Sequence, residues 1–239
     1  MALSGTEGNA PLTVLAIDTS SQSGSVALCR GGQVIAESAI NVRSTHSERL
    51  LVQIEQVLDA SQRSLSDMDL LAVSRGPGSF TGLRVGLATA QGLAVSAGLP
   101  LIGVSTLQAL ALNLPLSPVP VCAFLDARKQ EVYSCLYDTR SGFPRALGDE
   151  QVLPPELLLD RLEQEVVFAG DGVAHYRDLI VKRLGADVCS LPPAAHQVRA
   201  SSVAFLAEQS FVRGGRGSSG VVSPCYIRPP DADLPQKKG

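Results

Sequence analysis

The sequence predicts an α/β fold in which helices cover a sheet, and the theme is stated twice along the chain. Three observations carry this. Short apolar runs alternate with segments of helical periodicity. A strand ending in an aspartate, a polar turn and a second strand occur at 13–28 and again at 121–138, a weak internal echo. The 239 residues are 45% hydrophobic and 18% charged, which suffices to bury a sizeable core.

The elements follow in order. Residues 1–11 are expected to form a flexible lead. "TVLAIDTS" (13–20) reads as a buried strand ending in an Asp-Thr-Ser turn. "GSVALCR" and "QVIAESAI" are strands joined by a "GG" hairpin turn. "STHSERLLVQIEQVLDASQ" is apolar at 50, 51, 54, 57 and 58, a helical spacing, with Ser44 or Thr45 as its cap. "LLAVSRGPG" is a strand running into a glycine loop, and "GLRVGLATAQGLAVSAG" a helix stopped by Gly98. "PLIGVST" is a further strand. The proline-rich "LPLSPVP" (114–120) marks a boundary, so the chain divides into a first lobe at 12–116 and a second at 117–229. In the second lobe, "LPPELLLDRLEQ", "AHYRDLIVKRLG" and "ASSVAFLAEQSFVRG" read as helices, and "VVFAGDG" and "ADVCSL" as strands. "RGGRGSSG" is a linker, and 230–239 a flexible tail.

Composition excludes several classes. A net charge of −3 supplies no basic field for nucleic acid, and 4% aromatics without Trp supply no base-stacking platform. The five cysteines, Cys29, Cys122, Cys135, Cys189 and Cys225, have neither disulfide nor zinc spacing and read as reduced thiols. The start of the chain lacks a signal-peptide pattern, and the apolar stretch 82–97 contains Arg84 and is too short to span a bilayer. A cytoplasmic protein is expected.

The candidate chemistry centres on "SRGPGSFTGLRVG" (74–86). Strand, glycine turn and helix start can hold an anion, through Gly78, Ser79 and Thr81 with Arg84 nearby. The loop has no P-loop lysine, and Thr81 stands where a dinucleotide fingerprint needs glycine. The alternative is a tight turn that simply needs glycine. Beyond the loop, Gly82, Gly86, Ala90 and Ala94 recur every fourth residue and form a smooth helical ridge. Such a ridge admits close packing, either inside its own domain or against a partner. The two strand-Asp-turn units would grip a nucleotide through Asp18, Thr19, Ser20, Asp126 and Arg128, with Gly170 and Gly172 near an adenosine. Against this, "DARKQEV" is bulky and has no glycine. His46 lacks a histidine at i+4, where Leu50 stands, so no metal site is expected. No G-x-S-x-G elbow surrounds Ser79. Arg213 and Arg216 in the linker suit RNA backbone, although a solvated linker reads as well.

"LAIDTS", "GSVAL", "HSERLLVQIEQVL", "GPGSFTGLRVGLATAQGLA", "GVSTLQALA", "DARKQEVY" and "YIRP" together resemble the TsaB (YeaZ) family over roughly residues 13–229. The resemblance implies an actin-like, Hsp70-ATPase-like (ASKHA) fold of two lobes, each a mixed sheet flanked by helices. It implies a non-catalytic scaffold that binds and supports the TsaD transferase in making N6-threonylcarbamoyladenosine in tRNA. TsaD carries a metal-binding H-x-x-x-H pair where this chain has "HSERL". The first two helices of the family pair with those of TsaD or of a second TsaB. The implied interface set is therefore Leu50, Leu51, Ile54, Leu58, Gly82, Gly86, Ala90 and Ala94. Other implied partners are a TsaE-type ATPase, with tRNA met through the complex and no membrane. This chain is expected to need no cofactor, any ATP and Mg²⁺ belonging to the assembled complex. An ATP-binding or ATP-hydrolysing enzyme of the same fold is the alternative, and a glycoprotease-type hydrolase a third reading.

Overall fold

The computed structural model describes residues 10–41, 46–186, 188, 191–214 and 221–227. The first sheet holds β1 (Thr13–Asp18), β2 (Gly24–Arg30), β3 (Gln33–Ile40), β4 (Leu70–Gly76) and β5 (Leu101–Ser105), in the order β3-β2-β1-β4-β5. β1 pairs antiparallel with β2 and parallel with β4, and β4 pairs parallel with β5. Parallel neighbours need crossovers. These are α1 (His46–Ala60) between β3 and β4, and α2 (Phe80–Ala97) between β4 and β5. α3 (Thr106–Ala111) follows β5 directly, its first turn capped by the Ser105 hydroxyl, which accepts from the Gln108 amide at 3.2 Å.

The second sheet repeats the plan. β6 (Val121–Asp126), β7 (Val132–Asp138), β8 (Arg145–Ala146), β9 (Gln151–Leu153) and β10 (Val167–Ala169) run in the order β10-β6-β7-β8, with β9 also paired to β7. α4 (Pro155–Asp160) precedes β10; α5 (Gly172–His175), α6 (Arg177–Leu184) and α7 (Ala200–Val212) follow it. A central strand antiparallel to one neighbour and parallel to the other thus occurs in both sheets. This duplicated unit is the actin-like arrangement that the two strand-Asp-turn motifs foreshadow.

Strand alternation distributes the core. Leu15 and Ile17 of β1 face α1 and α2, together with Leu50, Ile54, Leu83 and Leu87. Val14 and Ala16 face the opposite way, into a layer containing α3 and α7 that also receives Val121, Ala123 and Leu125 of β6. Cys122 and Phe124 meet Leu159, Phe168, Val173 and Ile180 on the far face of the second sheet.

α7 lies after the expected lobe boundary, yet it packs on β1, β2, β4 and β5 of the first sheet. Its start is tied there by hydrogen bonds. Glu37 of β3 accepts from the Ser201 amide and hydroxyl at 3.0 and 2.8 Å and pairs with Arg199 at 2.9 Å, while the Ala200 amide donates to the Ser25 hydroxyl. The sequence signals for α7 are purely local, so they reveal the helix and not the sheet that receives it.

Other differences are small. α3, β8 and β9 were not expected from the sequence, being too short for periodicity to show. The described residues of 186–191 form no strand. The Ser44 and Thr45 cap, the side chain of His46, Cys189, Arg216 and the lead and tail (1–9 and 228–239) lie outside the description. Cys29, Cys122 and Cys135 are buried free thiols, and burial pushes Cys29 and Cys122 up to about 12. Among the described residues no helix is long and apolar enough to cross a membrane.

Glu208 of α7 is a buried carboxyl that accepts from the Gly32 amide at 3.0 Å, and burial raises its pKa. An acid whose folded pKa is raised stabilises the fold below its unfolded pKa, and that contribution is lost as pH rises through the folded value. Glu208→Gln does not titrate. Relative to the parent protein, the variant is expected to gain thermal stability as pH rises above the ordinary glutamate range. Melting curves across that rise in pH check the trend, and a relative loss would refute it.

Candidate functional site

The turn after β1 is built from its own polar groups. Asp18 Oδ1 accepts from the Ser20 hydroxyl at 2.6 Å and the Ser20 amide at 3.3 Å. The Thr19 hydroxyl donates to the Gly82 carbonyl at 2.7 Å. The Ser20 carbonyl accepts from the Ser79 amide at 2.7 Å, and the Ser79 hydroxyl caps α2 by accepting from the Gly82 amide at 3.3 Å. Asp18, Thr19 and Ser20 are all buried.

This turn sits where side chains of the glycine helix would be. A Cβ at Gly82 would lie 2.1 Å from the Thr19 carbonyl oxygen, and one at Gly86 2.2 Å from Thr19 Oγ1. At Gly78 it would lie 2.2 Å from the Ser20 carbonyl oxygen. The small-residue ridge therefore faces inward. Gly82, Gly86, Ala90 and Ala94 are buried, as are Leu50 and Ile54, while Leu58 is half-buried. Of the eight residues expected at a partner interface, only Leu51 is exposed.

Of the anion-loop set, the Ser79 amide already has an acceptor in the Ser20 carbonyl. Thr81 is on the surface, and Arg84 lies 3.9 Å over the Phe80 ring with its Nε donating to the Tyr226 hydroxyl at 3.4 Å. The nucleotide reading of Asp18, Thr19 and Ser20 is corrected, because the turn is filled by α2 and its hydroxyls are used within the fold. These residues do not fit a phosphate group.

The second hairpin brings Asp126, Arg128, Gly170 and Gly172 together. Asp126 pairs with Arg128 at 3.0 Å and also accepts from the Arg128 amide at 2.9 Å. Asp171 Oδ1 accepts from the Asp126 amide at 3.0 Å, and burial, with the Asp126 charge, raises the Asp171 pKa. A Cβ at Gly170 would meet the Phe124 carbonyl oxygen at 2.1 Å, so this glycine serves packing. Between the two sheets a cavity of about 380 Å³ is lined by Ser21, Ser23, Asp171, Arg177 and His196 among others. Of the expected nucleotide set, only Gly170 lines it. His196 Nδ1 accepts from the Gly170 amide at 3.2 Å, and burial lowers its pKa. Sequence reading missed Asp171, which lies inside the "AGDG" it flagged, and Arg177 and His196, whose approach to the cleft has no local signal. Among the described residues no group of three or more His, Cys, Asp or Glu is placed to hold a metal ion.

The outward face of α2 carries Arg84, Ala88, Gly92 and Val95, all exposed. Successive members are three or four residues apart and share one side of the helix. α1 contacts α2 and leaves Leu51 and Val52 about half-exposed, at 56% and 49%.

A duplicated mixed-sheet fold whose first hairpin packs into a glycine helix defines a class, that of the actin-like proteins. Comparison with known proteins narrows it. The family model described as "TsaD: tRNA N6-adenosine threonylcarbamoyltransferase" matches residues 33–234. The tRNA threonylcarbamoyladenosine biosynthesis protein TsaB of Escherichia coli (strain K12) is 37% identical over 228 residues, 91% of this chain and 95% of its own length. TsaB of Bacillus subtilis (strain 168) is 32% identical over 225 residues, 93% and 96% of the two chains. Among solved structures, YeaZ from Pseudomonas aeruginosa superposes with a TM-score of 0.75 at 31% identity, over 90% of this chain and 99% of that one. The chain belongs to the TsaB family.

The filled turn yields a sign reversal. Gly→Ala in a helix interior ordinarily stabilises by up to about 1 kcal/mol. Here Gly86→Ala is expected to destabilise by about 1–3 kcal/mol, as overpacking does. Thr19→Ala removes the obstructing Oγ1, so the double variant should recover part of that loss. Gly82→Ala meets a backbone oxygen and should show no such recovery. Denaturant unfolding of the parent, the three single variants and the two doubles with Thr19→Ala measures the cycles, and simple additivity at Gly86 would contradict the packing account.

Proposed function

We propose that this chain acts in forming N6-threonylcarbamoyladenosine in tRNA as a non-catalytic subunit that docks on a TsaD-type transferase. Family membership supports the pathway, through relatives named for that biosynthesis. The observation supporting the scaffold role is the filled hairpin beside an outward helix pair with exposed apolar side chains, Leu51, Val52 and Val95. The docking face is the outer surface of α1 and α2. Ala88 and Gly92 give it low relief, and a Cβ at Gly92 would meet open space. A second helix then approaches at the short end of ordinary interaxial distances. A TsaE-type ATPase joins the complex, tRNA is met through the assembly, and ATP and Mg²⁺ belong to the assembly. The same face also suits a homodimer.

Ala88→Trp tests this reading. Ala88 is exposed, so the variant is expected to keep its fold and melting temperature while losing co-elution with a co-expressed TsaD-type subunit. An unchanged complex would refute the face assignment.

The cavity of about 380 Å³ favours a second reading, a nucleotide held by this chain alone, since it falls within the size range of small-ligand sites. Calorimetry of the isolated chain with ATP and Mg²⁺ separates the two. The scaffold reading expects no binding heat. Tight binding abolished by Arg177→Ala, a change in the cavity lining, would favour the nucleotide reading.

A further inference from the structure

Two sequence blocks 142 residues apart, "SFTGLR" and "CYIR", converge at the start of α2. Tyr226 packs on Phe80 with ring centroids 5.2 Å apart, and its hydroxyl accepts from Arg84 Nε at 3.4 Å. The Arg84 guanidinium also stacks 3.9 Å above the Phe80 ring. Tyr226 is held by the segment that carries it. The Cys225 amide donates to the Arg75 carbonyl at 2.7 Å, Gln91 Nε2 donates to the Val222 carbonyl at 2.8 Å, and Val222 Cγ1 occupies the space a Cβ at Gly103 would need.

The result is an exposed arginine fixed on two sides. Among the described residues no carboxylate lies within ion-pair distance of it. Its η nitrogens form a planar fork suited to bidentate pairing with a carboxylate. Pre-organisation lowers the entropy cost of such pairing. Arg84 also stands on the same side of α2 as Ala88, Gly92 and Val95, one turn from the low-relief stretch.

The geometry points to Arg84 as the residue that sets partner register: it pairs with an Asp or Glu on the helix of the TsaD-type subunit that docks across Ala88 and Gly92. This rests on the docking reading above and adds the chemistry of the partner. Tyr226 is a positioning residue that holds the fork.

The test measures affinity between the full chain and the TsaD-type subunit by titration at two salt concentrations. Arg84→Glu is expected to weaken binding about 30-fold, the lower range for truncating one member of a desolvated charge pair. Arg84→Lys should recover only part, since an ammonium cannot make the fork. Tyr226→Phe should weaken binding several-fold without altering the melting temperature. Reversing the paired acid to Arg on the partner should restore binding to Arg84→Glu. Ala88→Trp runs alongside. If Ala88→Trp blocks the complex and Arg84→Glu leaves affinity and salt dependence unchanged, the arginine inference is overturned and the docking face stands. If neither variant matters, the docking face itself is wrong. If Arg84→Glu abolishes only self-association in sedimentation, the occupant is a second copy of this chain, and the assignment to a TsaD-type subunit is overturned.

Discussion

The architecture of the first sheet turns on one contact, the insertion of Thr19 between Gly82 and Gly86. The carbonyl oxygen of Thr19 fills the first gap and its hydroxyl the second. The same hydroxyl donates to the Gly82 carbonyl, so the wedge is also hydrogen-bonded to the helix it parts. Three consequences follow. The helix is drawn onto the end of β1, which fixes the angle of the β4–α2 crossover. The start of the turn after β1, Thr19 and Ser20, is packed against α2, while Ser21 and Ser23 reach the cavity. The opposite side of α2 is left as its free face. A substitution on the ridge would separate helix from turn and disturb all three together.

The second half uses the same device in a looser form. There the carbonyl oxygen of Phe124 occupies the space beside Gly170, and Asp171 ties the turn to the end of β6 through the Asp126 amide. The two halves differ in what lies over the hairpin. Around Asp18 an 18-residue helix covers the turn. Around Asp126 the covering helix, α5, has four residues, and Arg128 stays largely exposed. Open space therefore remains on the second side, where Asp171, Arg177 and His196 line the cavity. The duplication is faithful in strand pairing and unequal in filling, so the cleft opens mainly on the second side.

Much of the plan was legible in the sequence because it is written in local signals. Strand runs, the Gly98 stop and the repeated Asp turn all act within a few residues of themselves. Gly98 adopts the left-handed conformation that such a stop requires. The direction of the small-residue ridge was not legible. A four-residue repeat says that one side of a helix is smooth, and nothing in it distinguishes a neighbouring strand end from a partner chain. The deciding atom belongs to Thr19, over sixty residues upstream in the chain. The destination of α7 and the convergence of Tyr226 on Arg84 are long-range for the same reason. The outward stripe Arg84, Ala88, Gly92 and Val95 was present in the same letters, overshadowed by the more regular inward one.

A helix with small residues on both sides poses a physical problem whose solution bears on function. Gly82, Gly86 and Gly92 each cost α2 up to about 1 kcal/mol relative to Ala, so the helix is weak by propensity. Tertiary contacts must supply its rigidity. Thr19 and the sheet provide them on the inner side. Near the helix start Tyr226 and Phe80 provide them, and midway Gln91 does so through Val222. Besides the sheet, these ties come from two distant parts of the chain, Thr19 and the segment of Val222 and Tyr226, and converge on one element. A face clamped in this way offers a partner a surface that need not be ordered on contact, which is the condition under which a low-relief stripe binds tightly. The same clamps link the outer face of α2 to the segment of Val222 and Tyr226, which ties the helix midway at Gln91 and near its start at Arg84.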